Sequence, residues 1–230
     1  LDDVAVWRHR ALASNHAIER DGDDVGGPER HHDAEATLAH HVNRVTAEAI
    51  AREVGIEAVF QTLALADDLD VPSNLFLGRE KVWFNLGPFS ILDRKSMREA
   101  TRKALERTGV KIPNLANNIR NMSGGQRQCV AIARTATFAS KLIIMDEPTA
   151  ALGVQETAQV ENIVRTLKAA GEPLILISHN MRQVFDLVDR IIVFRRGRIA
   201  ANLLKSQTSG EEVVQYITGA KNMNAEQGAL

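Results

Sequence analysis

The stretch LIIMDEPTAALG, residues 142–153, decides how this sequence is read. Leu142 to Met145 form a continuous apolar run, which is typical of a strand covered on both faces. The run ends in two adjacent carboxylates, Asp146 and Glu147. Such carboxylates at the end of a buried strand repel each other and lose hydration unless a cation compensates. Mg²⁺ would provide that compensation, because it prefers carboxylate and water oxygens and usually arrives with substrate phosphates.

Two other apolar runs also end in polar side chains. Residues 174–177 are followed by Ser178 and His179, and residues 58–60 by Gln61. The alternative for each polar residue alone is a capped strand that enters a turn. Because the carboxyl ends of parallel strands meet at one edge of a sheet, we expect these side chains to lie near the carboxylate pair.

Helices alternate with these strands. One helix is predicted to begin at Asp93, a good N-cap, and to stop at Gly109, and another covers residues 155–170 and stops at Gly171. A further strand is predicted at residues 191–194. The alternation predicts an α/β fold with a mainly parallel sheet and helices on both sides. The helical residues expected to face the core are Met97, Thr101, Ala104, Leu105, Val160, Ile163, Val164 and Leu167.

The stretch MSGGQ precedes a predicted helix over residues 127–138. Ser123 and Gln126 have the S-x-x-Q spacing of a capping box. Gly124 and Gly125 leave the free amide groups of the first turn open to a phosphate. An ordinary helix start with permissive glycines is the alternative interpretation.

Composition excludes several classes of function. With 28 basic and 29 acidic residues and a net charge of −1, the chain lacks the basic field that holds a nucleic-acid backbone. The single cysteine, Cys129, cannot form an internal disulfide, which favours a reducing, cytosolic setting. The apolar runs are far shorter than the ~20 residues that cross a bilayer. Any role at a membrane is therefore expected to pass through a partner.

The composition changes near residue 46. Six of the seven histidines fall within the first 41 residues, and the first lysine is Lys81. We predict loop or disorder there, with solvated histidines rather than a metal site, because the segment has no sustained period of 2 or 3.6. The predicted division is an atypical N-terminus over 1–46, a partial nucleotide-binding domain over 47–221 with a helical subdomain at about 72–138, and a tail over 222–230.

Together and in this order, these features resemble the ABC ATPase family. Gln61 matches its Q-loop, residues 122–126 its signature motif, residues 142–147 its Walker B strand, residues 148–153 its D-loop and His179 its switch histidine. The wording VFQTLAL, NLFLGRE, MDEPTAALG and LISHNM is similar to the branch that energises ribose-, xylose- and fructose-type sugar uptake. The fold that the resemblance implies is a P-loop NTPase (RecA-like) core with a helical signature subdomain and without the N-terminal part of the core.

The resemblance implies ATP and Mg²⁺ as cofactors, with each ATP held between two nucleotide-binding subunits that face head to tail. Asp146 would hold the metal through water, and Gln61 would link the metal site to the membrane partner. Glu147 would orient and deprotonate the attacking water, and His179 would contact the γ-phosphate. The signature residues expected to clamp the nucleotide of the opposite subunit are Ser123, Gly124, Gly125 and Gln126.

The implied partners are permease subunits in the inner membrane, a second nucleotide-binding subunit and, indirectly, a sugar-binding protein. The chain would lie in the cytoplasm, on the inner face of the cell membrane, with residues 62–80 forming part of the groove for a permease helix. Which sugar is carried cannot be read from this chain, since the binding protein and permease select it. The alternatives are a non-catalytic remnant that only docks on a permease or intact homologue, and a soluble ABC ATPase of DNA repair or translation.

The sequence departs from the family in three places. Met122 replaces the usual leucine of the signature, and Gly153 stands where many members have an aspartate. More seriously, the 230 residues contain no G-x-x-x-x-G-K-[ST] motif, and Gly26-Gly27-Pro28 is followed by neither lysine nor hydroxyl. We therefore expect an ATPase by resemblance that is inactive alone. We also expect a gap inside the sheet, because the strand leading into that loop is central in folds of this kind.

Overall fold

The computed structural model describes residues 4–7, 49–84 and 90–221. The strands are Val4–Trp7 (β1), Ile56–Val59 (β2), Val82–Phe84 (β3), Ile91–Leu92 (β4), Leu142–Asp146 (β5), Leu174–Ile177 (β6), Arg190–Arg195 (β7) and Arg198–Leu204 (β8). The helices are α1, described over residues 49–53, Val71–Leu75 (α2), Arg94–Thr108 (α3), Gly124–Phe138 (α4), Val154–Ala169 (α5), Met181–Leu187 (α6) and Gly210–Thr218 (α7). Within these residues no helix combines the length and the apolarity that crossing a bilayer requires.

The main sheet has six strands in the order β2-β5-β6-β1-β7-β8. β2, β5 and β6 are parallel, with Val59 opposite Met145 and Asp146 opposite Ile177. The polar residues that follow these strands therefore lie at one edge of the sheet, which confirms the predicted convergence. The remaining ladders, β6 with β1, β1 with β7 and β7 with β8, are antiparallel.

The N-terminal strand β1 corrects two expectations. Val4–Trp7 lie between β6 and β7, with Ala5 opposite both Ile177 and Ile192. The predicted gap in the sheet is therefore wrong, and so is the prediction of loop or disorder for these four residues. The physical reason is that unpaired backbone groups along β6 and β7 would be costly, and an apolar segment satisfies both edges at once. The rest of the segment 1–46, with its histidines, lies outside the described residues, as does the tail 222–230.

The predicted helices form where their caps and apolar faces place them. In α3, Asp93 caps the first turn by accepting from the backbone N–H of Ser96, and Gly109 ends the helix in the left-handed region at φ 71°. The capping box of Ser123 and Gln126 begins α4. Both predicted apolar faces are buried, and they comprise Met97, Thr101, Ala104 and Leu105 of α3 and Val160, Ile163, Val164 and Leu167 of α5.

The core has two parts. The larger one packs α4 and α5 against the sheet through fully buried residues such as Ile132, Ile143 and Leu167. The smaller one joins α2, α3 and α4 through residues that include Leu75, Met97 and the signature residue Met122, as well as Val71, Phe76, Ile119 and Val130. Because α4 contributes to both clusters, the helix that begins at the signature motif is held rigidly against the sheet.

Candidate functional site

Glu147 and His179, which follow β5 and β6, are in direct contact. The backbone N–H of His179 donates to Glu147 Oε1 over 2.8 Å, and His179 Nδ1 lies 2.6 Å from the same oxygen. The glutamate side chain is 15% exposed, whereas the imidazole is 76% exposed. The carboxylate is therefore fixed at the sheet edge by a residue whose ring remains open to a ligand.

The backbone at Glu147 is strained. Its φ is 45°, in the left-handed region that residues with a side chain rarely adopt. The Glu147 N–H donates to Ile177 O over 2.9 Å, and its carbonyl accepts from the N–H of Ala150 over 3.0 Å. Strain of this kind costs about 1–3 kcal/mol and persists only where the surroundings enforce it, which is common at functional sites.

Behind this contact lies a buried amide that sequence reasoning missed. Gln183, only 1% exposed, accepts through Oε1 from the hydroxyls of Ser178 at 3.0 Å and Thr149 at 3.2 Å. The N–H of Asn180 in turn donates to Ser178 Oγ over 3.1 Å. Gln183 thus ties the turn after β5 to the turn after β6 and supports the relative positions of the two catalytic candidates. The sequence did offer one signal for this residue. Gln183 is a glutamine on the inward face of a short helix, within two turns of His179.

The start of α4 is closed by a side chain from α5. Ser123 Oγ donates to Glu156 Oε1 over 3.0 Å, and the Gly125 N–H reaches the same oxygen over 3.3 Å. A Cβ on Gly125 would lie 2.6 Å from Glu156 Cγ, so in this structure the glycine is required by Glu156. Gly124 has ordinary space around it, its nearest neighbour being Leu152 at 3.7 Å from such an added Cβ. Sequence reasoning singled out Ser123 and both glycines but not the carboxylate.

The metal candidates Asp146 and Gln61 lie on the same edge of the sheet. Asp146 is the last residue of β5, and Gln61 lies exposed two residues beyond Val59, which pairs with Met145. The residues that the structure describes contain no group of three or more His, Cys, Asp or Glu side chains that could hold a metal. Asp146 fits Mg²⁺ nevertheless, with the amide oxygen of Gln61 beside it, because this ion is usually held by one or two carboxylates together with phosphates and waters.

A cleft of about 200 Å³ lies beside the segment that follows Gln61. Arg134 is one of its lining residues and donates to Ala64 O over 2.9 Å, and burial lowers the pKa of this arginine. Arg79 pairs with Glu57 over 2.5 Å and stacks over the Phe138 ring at 4.4 Å. The lining of the cleft therefore combines apolar side chains with arginines, and its other lining residues include Arg52, Phe60, Thr62, Leu63, Leu65 and Leu77.

The sequence model of the family described as ABC transporter matches residues 29–150, which is more than half of the chain. The chain belongs to the ABC transporter family. The matched region begins at residue 29 and so overlaps the segment 1–46, which the sequence analysis separated from the nucleotide-binding domain. The division into three segments stays a prediction.

Curated relatives of this ABC transporter chain include sugar import proteins. The fructose import ATP-binding protein FrcA of Rhizobium meliloti is 44% identical over 74% of this chain and 67% of its own length. The xylose/arabinose import ATP-binding protein XylG of Sulfolobus acidocaldarius is 41% identical over 73% of this chain and 65% of its own length. The ribose import ATP-binding protein RbsA of Lactococcus lactis is 40% identical, and the match spans 33% of it. The chain thus spans from one third to two thirds of these relatives.

Solved ABC cassettes share the fold. The ADP conformation of MJ1267, an ATP-binding cassette of an ABC transporter, matches 79% of this chain and 71% of its own with a TM-score of 0.58 and 26% identity. The dimeric post-hydrolysis state of the cassette MJ0796, bound to ADP and Pi, matches 65% of this chain and 62% of its own with a TM-score of 0.53 at 21% identity. The predicted α/β ABC ATPase fold is confirmed.

Proposed function

We propose that this chain is an ATP-binding subunit of a carbohydrate ABC importer and that it contributes its signature motif to ATP hydrolysis at a shared site. The observation that supports the shared-site part is the start of α4, where the Ser123 hydroxyl and the Gly125 N–H both donate to one anionic oxygen, Glu156 Oε1, over 3.0 and 3.3 Å. The sugar-import part rests on relatives such as FrcA and XylG. Fructose-, xylose- and ribose-type sugars are therefore the first substrates to test.

Each residue of this edge has a task in phosphoryl transfer, which depends mainly on positioning and charge stabilisation. Asp146 and Gln61 would hold Mg²⁺, and the ion would neutralise charge on the phosphates. Glu147 would accept a proton from the attacking water. Both described hydrogen bonds from His179 go to Oε1, so Oε2 is the oxygen left for that water.

The glutamate's role is tested in a chimera that carries a homologue's phosphate-loop segment in place of residues 1–46. Glu147→Gln keeps the shape and removes the base, so turnover should fall about a hundredfold to ten-thousandfold with nucleotide affinity little changed. Turnover within a few-fold of the parent chimera would exclude Glu147 as the base.

The chain as given should not hydrolyse ATP alone. Without the G-x-x-x-x-G-K-[ST] loop, several backbone donors, a lysine and a metal-binding hydroxyl are missing. Charge-assisted hydrogen bonds contribute about 1.5–3 kcal/mol each, so the loss of three weakens nucleotide binding about a thousandfold. Magnesium-dependent turnover by the lone chain would show that residues 1–46 supply a phosphate site.

A mixing experiment tests the shared site. The chain is combined with a homologous cassette that keeps its phosphate loop but has a disabled signature motif. Turnover should appear only in the mixture and should be lost with Ser123→Ala of this chain. Glu147→Gln of this chain is the matched control and should leave turnover unchanged, because the homologue supplies the base at that site. The same experiment decides the second candidate, a remnant that only docks, since a purely docking chain restores no turnover.

The permease is proposed to dock a helix in the cleft beside residues 62–80. The apolar lining residues Leu63, Leu65 and Phe138 suit an amphipathic helix, and the arginines of the lining favour acidic residues on that helix. Cysteines placed singly between Ser73 and Glu80 should capture a co-expressed sugar permease, whereas cysteines near Arg196 should not. Native Cys129 is buried and adds little background. Equal capture from both places would exclude the cleft as the docking site. Docking there would place the chain on the inner face of the membrane.

A further inference from the structure

Glu156, in the first turn of α5, makes three hydrogen bonds that join the signature motif to the D-loop. Its Oε1 accepts from Ser123 Oγ over 3.0 Å and from the Gly125 N–H over 3.3 Å. Its Oε2 accepts from the Gly153 N–H over 3.1 Å. No feature of the sequence marks this residue, which is 33 positions from Ser123.

The partners of Glu156 are the groups that a phosphate would need. A phosphate at the start of α4 would bind the free N–H groups of the first helical turn and the Ser123 hydroxyl. A carboxylate has the same charge sign and the same acceptor oxygens, so it competes for these donors. Because one hydroxyl proton cannot serve both acceptors, the Ser123 bond to Glu156 must break before the hydroxyl donates to phosphate.

We propose that Glu156 is an internal anion that occupies the signature motif of the free chain and leaves it when a nucleotide-loaded cassette docks. This inference rests on the proposed role of the signature motif in a shared ATP site. Glu156 acts on nucleotide through Ser123 and Gly125, so it is a positioning residue rather than a catalytic one.

Two further observations support the exchange. Hydrogen bonds from Gly153, Ser123 and Gly125 lower the pKa of Glu156, so the side chain is an anion at neutral pH. The side chain is only partly buried and lies on the surface, so it can swing into solvent without opening the core. Because Gly153 shares the carboxylate, departure of Glu156 also releases the backbone of the D-loop.

Binding of this chain to a homologous cassette tests the proposal. The homologue keeps its phosphate loop, carries Gln in place of its catalytic glutamate and is loaded with MgATP, and association is followed by fluorescence anisotropy. If the contact is made in about nine of ten free molecules, Glu156→Ala should tighten association about tenfold. Glu156→Gln keeps the size but loses the charge, and it should tighten association by a smaller factor. Gln155→Ala, on the same turn, is the matched control and should have no effect.

The outcomes separate the two proposals. Association of Glu156→Ala that is unchanged or weaker than that of the parent overturns the exchange while the shared site stands. Absence of association for every variant, when the homologue still pairs with an intact copy of itself, overturns the shared site.

A second measurement covers a poorly folded variant: in the free parent chain, NMR titration should find Glu156 ionising below the usual range, and Ser123→Ala should raise that pKa. An unaltered Glu156 titration in the Ser123→Ala chain contradicts the proposal.

Discussion

Asn74 offers a sharp test of how the cleft is held. The side chain is fully buried, and its Oδ1 accepts from the Ala66 N–H over 2.7 Å. Its Nδ2 donates to the carbonyls of Ala66, Leu69 and Asp70 over 3.0 to 3.1 Å. One amide therefore closes the loop that leads from Leu65, a lining residue of the cleft, into α2.

The stability that the Asn74 side chain contributes follows from these contacts. Two amide protons serve three carbonyls, so the side chain is counted as about three net hydrogen bonds of about 1 kcal/mol each. Asn74→Ala should then lower the free energy of unfolding by about 3 kcal/mol. With a urea m-value of about 2 kcal/mol/M, the midpoint should fall by about 1.5 M. Asn74→Asp keeps the volume but sets a carboxylate against carbonyl oxygens, and it should destabilise at least as much.

Equilibrium unfolding in urea, followed by circular dichroism, measures these shifts. The matched control is Asn162→Ala on the exposed face of α5, which should stay within about 0.5 kcal/mol of the parent. Capture of permease by cysteines between Ser73 and Glu80 should fall in the Asn74 variants at the same time. A change in unfolding free energy for Asn74→Ala as small as that of the control would refute this account of the loop.

Three further predictions concern other parts of the chain. Burial raises the pKa of the Cys129 thiol to about 11, so alkylation of this thiol at pH 8 should be slow. Alkylation should accelerate as the pH rises towards that value and should become fast on unfolding. Rapid labelling of the folded chain at pH 8 would contradict this. Ala5→Pro removes a backbone N–H from the strand that pairs with β6 and β7, and it should lower the free energy of unfolding by about 3 kcal/mol. An unchanged midpoint in thermal or urea unfolding would show that β1 does not stabilise the sheet. Asp93→Ala removes the cap bond to the Ser96 N–H and should cost about 1 kcal/mol, and a melting temperature equal to the parent's would argue against the cap.

Local patterns predicted most of the fold. The edge with Glu147 and His179 follows from continuous apolar runs that stop at polar residues, because parallel strands deliver their carboxyl ends together. The start of α4 follows from the S-x-x-Q spacing, which acts over four residues. In each case the interactions that decide the structure lie within a short stretch of sequence.

The parts that were missed depend on distant contacts. Four residues of β1 are too few to show a period, and their partners lie at residues 175–177 and 191–193. Glu156 and Gln183 read as ordinary helix residues until the fold brings them to Ser123 and Thr149. Pairings of that range follow from packing, which single-sequence patterns do not encode.

The central position of β1 sets the order in which the sheet can be completed. In chain order Val4–Trp7 come well before their partners β6 and β7, which begin at Leu174 and Arg190, so during synthesis the three strands can pair only after β7 has been made. Until β1 pairs with them, β6 and β7 each present an open edge to any strand that arrives, including β1 of another molecule. Exchange of this strand between nascent chains would give intertwined dimers of native-like subunits. Refolding yield should therefore fall as protein concentration rises, with dimers accumulating in place of monomers.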